Sequence, residues 1–229
     1  MLTEVFGPPE SGGLLDAGCG PGHQAVALAK TGYRVIALDA EEEMIDLAVE
    51  RSRKADVDIQ FVRAVYGELP EALDAAAGCI DGVLCVGNAL AATGDRQGCR
   101  EAVRNFAAVL RPGGKLFVQI VNFRAMRNES PCVRGPRIAV RDGIEYISVR
   151  HFMFLDDICD VTNVTIWNDG QWRKNAHTGR LYPIDHDELL QWCGEAGLEV
   201  EACYGGYGKK PFDISEPGDL IVVATRVEG

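Results

Sequence analysis

The chain has 229 residues, and its 34 acidic and 23 basic side chains give a formal net charge of −11. Apolar residues make up 47% of the chain and charged residues 25%, a composition that excludes disordered and collagen-like proteins and is sufficient for a hydrophobic core. No apolar stretch approaches the roughly 20 residues that span a bilayer, and the first residues lack the basic start and apolar run of a secretory signal. We therefore expect a single domain over residues 1–229 that lies in the cytoplasm and does not cross a membrane.

Short runs rich in Val, Ile and Leu alternate with segments of helical spacing in the first half of the chain. Strands are predicted at residues 13–16, 34–38, 58–62, 80–86 and 115–121. Helices are predicted to start near His23, Glu41, Glu68 and Asp95, and the last of them ends at Arg111-Pro112-Gly113-Gly114. This alternation is typical of βαβ units and a parallel sheet.

After Asn122 the apolar period changes from that of a helix to that of a strand. Strands are predicted at residues 144–154, 159–167 and 172–182, with hairpin turns at Arg141-Asp142-Gly143 and Asn168-Asp169-Gly170. We interpret residues 124–182 as an antiparallel insertion. A helix then follows the capping-box pattern Asp185-x-x-Glu188, and strands at residues 198–204 and 219–226 complete the main sheet.

The eight cysteines are scattered and form no C-x-x-C pair, so their spacing matches neither a zinc site nor a disulfide framework. We predict no metal site and expect most of these cysteines to be small buried apolar side chains. The acidic balance argues against a nucleic-acid partner, because phosphate binding needs clustered Lys and Arg. The locally basic segment 124–150 nevertheless leaves a nucleic-acid partner open as an alternative.

The string LLDAGCGPG, at residues 14–22, carries the strongest signal of a ligand site. A buried strand runs into Asp16, and glycines at positions 18, 20 and 22 then lead into a helix. Glycine lets a ligand approach the backbone closely, and a helix N-terminus offers unpaired N–H groups to polar ligand atoms. The spacing differs from the G-x-G-x-x-G fingerprint of dinucleotide sites, which disfavours a nicotinamide cofactor.

This string resembles motif I of the class I S-adenosylmethionine-dependent methyltransferases, and later landmarks agree with it in order and interval. The second predicted strand leads to Asp39, where the family has its ribose-binding carboxylate, and Glu41-Glu42-Glu43-Met44 follows as in the family's adenine-side loop. Cys85-Val86-Gly87-Asn88 ends the fourth strand, and Leu110-Arg111-Pro112-Gly113-Gly114 precedes the fifth, as "LRPGG" does in the family.

The resemblance implies S-adenosylmethionine as the cofactor, released as S-adenosylhomocysteine. It also implies a set of cofactor-binding positions: Asp16, Gly18, Cys19, Gly20, Gly22, Asp39, Ala40, Met44, Val65, Tyr66, Val86 and Gly87. The family usually has an acidic residue shortly after the third strand, and this chain has none there. We expect backbone N–H groups and apolar contacts from Ala64, Val65 and Tyr66 to hold the adenine ring instead.

A finer resemblance, to the glycine and sarcosine N-methyltransferase branch, rests on Val86-Gly87-Asn88-Ala89-Leu90 and Val121-Asn122-Phe123. That branch has a "GNS" element before the same helix, an "RNYD" element at the end of the fifth strand, and an antiparallel insertion after it. Here Ala89 stands in place of the Ser, and no Arg-Asn-Tyr-Asp string is present.

Methyl transfer from a sulfonium needs positioning and water exclusion but no nucleophilic side chain. An amine acceptor has only to arrive deprotonated, whereas a hydroxyl acceptor usually needs a nearby base. Arginine binds carboxylates bidentately, and the insertion supplies further polar side chains. The candidates for holding the acceptor are Asn88, Arg150, His151, His177, Arg180 and Tyr182.

Together these patterns predict an α/β, Rossmann-like fold. We expect a seven-stranded, mostly parallel sheet with helices on both faces, and an antiparallel insertion that forms a lid on the substrate side. We predict methyl transfer to a small molecule, with nitrogen slightly favoured over oxygen as the acceptor atom. The alternatives are a protein that binds S-adenosylmethionine without catalysis, an RNA or protein methyltransferase, and a nicotinamide-dependent dehydrogenase. The sequence leaves open whether the protein forms a homodimer.

Overall fold

The computed structural model describes residues 1–9, 13–73, 79–129 and 132–227, and within them eleven strands form two sheets. The strands of the larger sheet are β1 (Gly13–Ala17), β2 (Arg34–Asp39), β3 (Gln60–Arg63), β4 (Ile80–Cys85), β5 (Leu110–Val121), β10 (Leu198–Tyr204) and β11 (Asp219–Arg226). Those of the smaller sheet are β6 (Cys132–Arg141), β7 (Ile144–Leu155), β8 (Ile158–Asn168) and β9 (Trp172–Leu181). The helices are α1 (Leu2–Phe6), α2 (His23–Lys30), α3 (Glu42–Ala55), α4 (Leu69–Leu73), α5 (Arg96–Val109), α6 (Phe123–Arg127) and α7 (His186–Glu195).

The larger sheet has the strand order β10-β11-β5-β4-β1-β2-β3. The pairs β1–β2, β1–β4, β2–β3 and β4–β5 are parallel, whereas β11 runs antiparallel to both β5 and β10. The predicted seven-stranded, mostly parallel sheet is therefore confirmed. In such a sheet the carboxyl ends of β1, β2 and β4 open at one edge, where α/β proteins bind ligands.

Side chains alternate across this sheet and build a separate core on each face. Leu14 packs on one side with residues of α1, α2 and α3, and its neighbour Leu15 packs on the other with α4, α5 and α7. Both leucines are almost fully buried. Helices therefore cover both faces, as the sequence pattern predicts.

The smaller sheet is the antiparallel insertion predicted for residues 124–182, of which residues 130 and 131 lie outside the described part of the chain. Its strand order is β6-β7-β8-β9, and each neighbouring pair is antiparallel. The first predicted turn is confirmed, because Asp142 and Gly143 both have positive φ, at 50° and 77°, as a tight hairpin requires. At the second predicted turn Gly170 has φ 106°.

Strand β6 was not predicted from the sequence, which indicated no strand between residues 121 and 144. Pro136 lies in its middle, and proline normally argues against a strand because it cannot donate to the ladder. The structure tolerates Pro136 because β6 is an edge strand and its pairing with β7 is irregular between Arg134 and Arg137. That bulge also decides which way the two arginines point.

Two short helices were also missed, because five residues are too few for a periodic apolar pattern to show. In α1, Phe6 packs against Gly82, where any Cβ would overlap with its ring. Helix α6 starts at Asn122, whose Oδ1 accepts from the Ala125 N–H at 3.3 Å. The Asn122 amide also donates to the carbonyls of Asp213, Ile214 and Glu216, so this one side chain holds a loop and a helix together.

The helix starts that the sequence predicted agree with the structure to within a residue or two. Asp185 and Glu188 form the expected capping box at α7, and the Asp95 side chain accepts from the Gly98 N–H at 2.8 Å at the start of α5. Six of the eight cysteines are buried, as expected. Over the described residues no helix combines the length and apolarity needed to cross a bilayer.

Candidate cofactor and acceptor site

The glycine loop after β1 is held against the end of β2 by backbone hydrogen bonds. The N–H groups of Gly18 and Cys19 donate to the Leu38 carbonyl at 2.8 and 2.9 Å. The N–H of Gly20 donates to Asp39 Oδ2 at 2.8 Å. Three N–H groups of the motif loop are therefore hydrogen-bonded to the end of β2.

The Asp39 carboxylate faces a groove with both oxygens already oriented. Its Oδ2 accepts from Gly20 and its Oδ1 accepts from the Glu41 N–H at 3.0 Å. A carboxylate oxygen has two lone pairs, so each oxygen retains acceptor capacity toward a ligand hydroxyl. This is a suitable arrangement for a diol such as the ribose that the resemblance implies.

Asp16 lies beneath the loop, only 1% exposed. Within the described residues, neither of its carboxylate oxygens has a hydrogen-bond partner. Burial raises the pKa of Asp16 to about 7, the charge of Asp39 raises it further, and the nearby Ala25 N–H opposes this shift. An unpartnered buried carboxyl group is costly, so its presence here indicates a site that a cationic or hydrogen-bonding ligand completes.

The three glycines of the motif differ in what a side chain at each position would meet. A Cβ on Gly18 would overlap with the Tyr66 hydroxyl and lie 2.6 Å from Ala89 Cβ, and a Cβ on Gly22 would lie 2.7 Å from Ala48 Cβ. Gly22 thus permits the contact between α2 and α3. Gly20 has φ 52° and nothing within 4 Å of its virtual Cβ, so a side chain there would project into open space beside Asp39.

A groove of about 460 Å³ runs from the glycine loop along the carboxyl ends of the strands. Of the predicted cofactor positions, Gly18, Asp39, Ala40, Val65 and Tyr66 line it directly. Sequence reasoning missed Ala92, Thr93, Gly98 and Glu101, which reach the groove from the segment after β4 and from α5. Nothing in their local sequence marks these four residues, because only chain packing brings them to the groove.

The remaining predicted cofactor positions support the groove rather than line it. Cys19 is buried, and Met44 lies half-buried in the first turn of α3. Val86 and Gly87 follow β4, and the N–H of Gly87 donates to Gln119 Oε1 at 2.7 Å. The Val65 N–H, which we expected to face the adenine ring, lies 3.4 Å from Glu68 Oε2.

The thiols of Cys19 and Cys85, which are buried near the groove, are not reactive. Burial raises the pKa of Cys85 to about 12 and that of Cys19 to about 12, so both thiols stay protonated at neutral pH. The Tyr66 hydroxyl lies 3.8 Å from Cys85 Sγ, and burial raises its pKa well above the usual value. These groups shape the groove and do not serve as bases or nucleophiles near pH 7.

The structure separates the predicted acceptor residues of the insertion into two groups. Arg134, Arg150, Asn163 and His177 are direct cross-strand partners on β6 to β9 and therefore share one face of the sheet. We call this the inner face, because Phe152, two residues from Arg150, is buried in the main core. Arg150 and His177 thus lie on the same face of the insertion.

His151 and Arg180 lie on the opposite, outer face, because one step along a strand reverses the side-chain direction. Arg180 pairs there with Asp160, at 3.1 Å. Tyr182 follows β9 and donates to the Glu188 carboxylate at 3.1 Å. Asn88 is buried, and its Oδ1 accepts from the Val121 N–H at 2.7 Å. The structure therefore does not bring these four candidates into one site with Arg150 and His177.

The tip of the β6–β7 hairpin carries a positive charge that acts on the start of α2. The pKa of His23, at the start of α2, is lowered by partial burial and then by the positive charges of Arg51 and Arg141. Arg141 is the last residue of β6, so the insertion extends from the end of β5 to the neighbourhood of α2.

Comparison with known proteins places this geometry in a family. The family model described as a methyltransferase domain matches residues 14–114, which run from β1 through the groove to the start of β5. Residues 14–114 form a methyltransferase domain, and the chain is similar to S-adenosylmethionine-dependent methyltransferases. Its methyltransferase domain therefore begins at β1 and includes Asp16, the glycine loop and Asp39.

Two relatives and one solved structure show how far the likeness extends. Glycine N-methyltransferase from Rattus norvegicus is 30% identical over 119 residues, which are 48% of this chain and 40% of that protein. Glycine/sarcosine N-methyltransferase from Aphanothece halophytica is 26% identical over 217 residues, 93% of this chain and 76% of that protein. The S-adenosylmethionine-bound structure of CalS10, an amino pentose methyltransferase from Micromonospora echinaspora, has a TM-score of 0.72, 20% identity, and coverage of 98% of this chain and 87% of that one.

The match to the rat enzyme thus spans less than half the length of either chain. The solved structure shows a shared fold, insertion included, because it covers nearly the whole of this chain.

The residues of the methyltransferase domain fit S-adenosylmethionine, the cofactor of the family. The Gly20 position leaves open space beside Asp39, whose oxygens suit a ribose diol. The unpartnered Asp16 suits the positive charges of the sulfonium and ammonium groups.

Proposed function

We propose that this chain transfers a methyl group from S-adenosylmethionine to a small molecule, with nitrogen favoured over oxygen as the acceptor atom. The observation that carries the proposal is the buried Asp16 carboxyl group, which has no hydrogen-bond partner among the described residues. It lies beneath a glycine loop that is hydrogen-bonded to Asp39. A structural turn without a ligand has no need of an unpaired buried carboxyl group, which costs folding free energy.

When bound, S-adenosylmethionine supplies an electrophilic methyl group, and S-adenosylhomocysteine remains after its transfer. The chain's own residues have three tasks. Asp39 and the Gly18–Gly20 loop orient the bound group, Asp16 compensates positive charge, and the inner face of the insertion excludes water and positions the acceptor. A neutral amine acceptor attacks the methyl group with its lone pair. It needs no catalytic base in that step, because its proton is lost either before or after the transfer.

Two observations favour nitrogen. The relatives named above are described as acting on glycine, on glycine or sarcosine, and on an amino pentose, all of which carry nitrogen. In the structure, His151 lies on the outer face, away from Phe152 and the core. His177 lies on the inner face, and it is the residue that the alternative, a hydroxyl acceptor, would use as its base.

The first experiment is calorimetric titration with S-adenosylmethionine and, separately, with NAD. We expect micromolar binding of S-adenosylmethionine and none of NAD. Gly20→Ala is expected to weaken that binding tenfold or more, because its Cβ would occupy the open space beside Asp39, to which the Gly20 N–H donates. The matched control is Gly197→Ala, since Gly197 also has a left-handed φ, 73°, but its virtual Cβ meets only Val227, at 4.0 Å.

The outcomes separate the proposal from its alternatives. NAD binding without S-adenosylmethionine binding would contradict it in favour of a dehydrogenase. Binding of S-adenosylmethionine with no S-adenosylhomocysteine formed over a panel of amines and alcohols would favour a non-catalytic binding protein. Methylation of RNA or protein in preference to small amines would favour the macromolecular alternative, which the net charge of −11 disfavours.

A further inference from the structure

A second cavity, of about 270 Å³, lies between the insertion and the end of β5. Its lining includes Val121 and Asp219 of the main sheet and Arg134, Arg137, Arg150 and Asn163 of the insertion. The volume has room for a small organic molecule but not for a nucleic-acid strand or a folded partner. Three arginines thus line one small cavity, although their like charges repel one another.

The β6 bulge creates this concentration. Arg134 is paired with Arg150, and Arg137 is paired with Ser148, two residues earlier on β7. Arg134 and Arg137 are three residues apart and would lie on opposite faces of a regular strand. The extra residue of the bulge reverses the alternation, so both arginines lie on the inner face with Arg150.

Direct ion pairs neutralise only part of the positive charge of these three arginines. Arg134 is paired with Glu129, at 2.8 Å. Arg150 Nε donates only to the neutral Asn163 Oδ1, at 2.7 Å. Among the described residues no carboxylate lies within ion-pair distance of the Arg137 guanidinium. Partial burial, and then the charge of Arg137, lower the pKa of Arg150, as expected for two neighbouring cations of which neither contacts a carboxylate in the described part of the chain.

Hydrogen bonds connect this cavity to the cofactor groove. Val121 in its wall donates its N–H to Asn88, the residue between Gly87 and Ala89. Asp219 Oδ1 accepts from Gln119 Nε2 at 2.9 Å, and Gln119 Oε1 accepts from the Gly87 N–H. Ala89 lines the groove itself. The segment Gly87 to Ala89 is therefore hydrogen-bonded to the wall of the arginine cavity and contributes Ala89 to the cofactor groove.

We propose that the methyl acceptor carries an anionic group, a carboxylate or a phosphate, that binds between Arg137 and Arg150. This inference rests on the proposed function, and it narrows the substrate class to small anionic molecules that carry an amine. Guanidinium groups bind both anions through paired N–H donors. Binding there would hold the rest of the molecule next to the Gly87–Ala89 segment, at the edge of the cofactor groove.

The first test measures anion binding without turnover. Protein labelled with ¹⁵N is titrated with sodium acetate and, separately, with inorganic phosphate, while NMR follows the arginine Nε–Hε signals. We expect the Arg137 and Arg150 signals to shift together, and the stronger of the two anions identifies the carboxylate or the phosphate as the natural group. Arg137→Gln and Arg150→Gln should each weaken binding tenfold or more.

The matched control is Arg180→Gln, which removes an arginine from the outer face of the same sheet and should leave anion binding unchanged. Absence of shifts with both anions, or equal binding by all three variants, would overturn the inference. Circular dichroism and the S-adenosylmethionine affinity, both expected to be unchanged in the variants, exclude misfolding as the cause of any loss.

The second test compares amines that differ only in charge, with S-adenosylhomocysteine formation as the readout. Glycine is compared with glycinamide, and O-phosphoethanolamine with ethanolamine. We expect kcat/KM to be tenfold or more higher for the anionic member of at least one pair, and Arg150→Gln to remove the preference. Equal or faster turnover of the neutral members would overturn the inference.

The two proposals fail in distinguishable ways. If S-adenosylmethionine does not bind, the proposed function fails, and the NMR titration still decides whether an anion site exists. If neither pair is methylated although S-adenosylmethionine binds, the NMR titration alone decides whether Arg137 and Arg150 bind an anion.

Discussion

Asp16 is the single residue whose state depends most on whether the cofactor groove is filled. Its carboxyl group is buried and its pKa is raised to about 7, mainly by burial. The ordinary pKa of an Asp in an unfolded chain is about 3.9. Between these two values the folded protein binds more protons than the unfolded chain, so ionisation of Asp16 destabilises the fold as pH rises.

The free energy of unfolding is therefore expected to fall between pH 5 and pH 8 by an Asp16 contribution of about 2–4 kcal/mol. Urea unfolding at both pH values, for the natural chain and for Asp16→Asn, isolates this contribution, because the amide does not titrate. An identical pH dependence in the two proteins would show that Asp16 is already paired in the folded state.

S-adenosylmethionine should reverse this trend, because its cationic groups favour the ionised carboxylate. We expect its stabilisation of the fold, measured as the shift in Tm at saturating concentration, to grow from pH 6 to pH 8 in the natural chain and to stay constant in Asp16→Asn. A larger shift at pH 6 than at pH 8 would contradict this role of Asp16.

At the scale of single elements, the ends of helices and the register of strands decide where polar groups point. Helix α7 starts at a reciprocal capping box, in which Asp185 accepts from backbone N–H groups and Glu188 reaches back to the Asp185 N–H. The same Glu188 accepts from Tyr182 and is paired with Arg96, at 2.6 Å. The cap therefore fixes the segment that connects the insertion to the main sheet.

Removal of this cap by Asp185→Ala should lower the free energy of unfolding by about 1 kcal/mol, because a helix N-terminal N–H loses its acceptor. Asp185→Asn is the matched control, since its side-chain oxygen still caps the helix and should preserve most of the stability. The ion pair between Arg124 and Asp185 adds little to the free energy of unfolding, because it is long, at 3.8 Å, and exposed to solvent. Equal destabilisation by both variants in urea unfolding would contradict the capping explanation.

At the scale of the whole molecule, the insertion is part of the main core rather than an appended module. Phe152 of β7, Cys132 of β6 and Val161 of β8 are buried in the same apolar cluster as Leu189 and Trp192 of α7. The inner face is apolar next to the main domain and polar further out, where Arg150 and Asn163 lie. A rigid base thus supports the arginine cavity.

Phe152→Ala is expected to lower the global free energy of unfolding by about 3–5 kcal/mol, because it empties a buried site shared by both sheets. The matched control is Met153→Ala on the adjacent, outward-facing position, where the side chain is 43% exposed and the cost should stay near 0.5–1 kcal/mol. Calorimetry should show one cooperative transition in both variants. A separate low-temperature transition in Phe152→Ala would indicate that the insertion unfolds independently.

The sequence by itself determined the alternation of strands and helices, the position of the glycine loop and most of the helix starts, because these depend on signals within one strand–loop–helix unit. The apolar period, the turn glycines and the caps are local signals. Only the tertiary structure decided which insertion residues face the core. Arg150 and His151 are adjacent in sequence but lie on opposite faces, and the bulge at Gly135-Pro136 turned Arg137 inward. Ala92 and Glu101 likewise joined the groove through packing alone, since residues that meet only across elements leave no periodic trace in the chain.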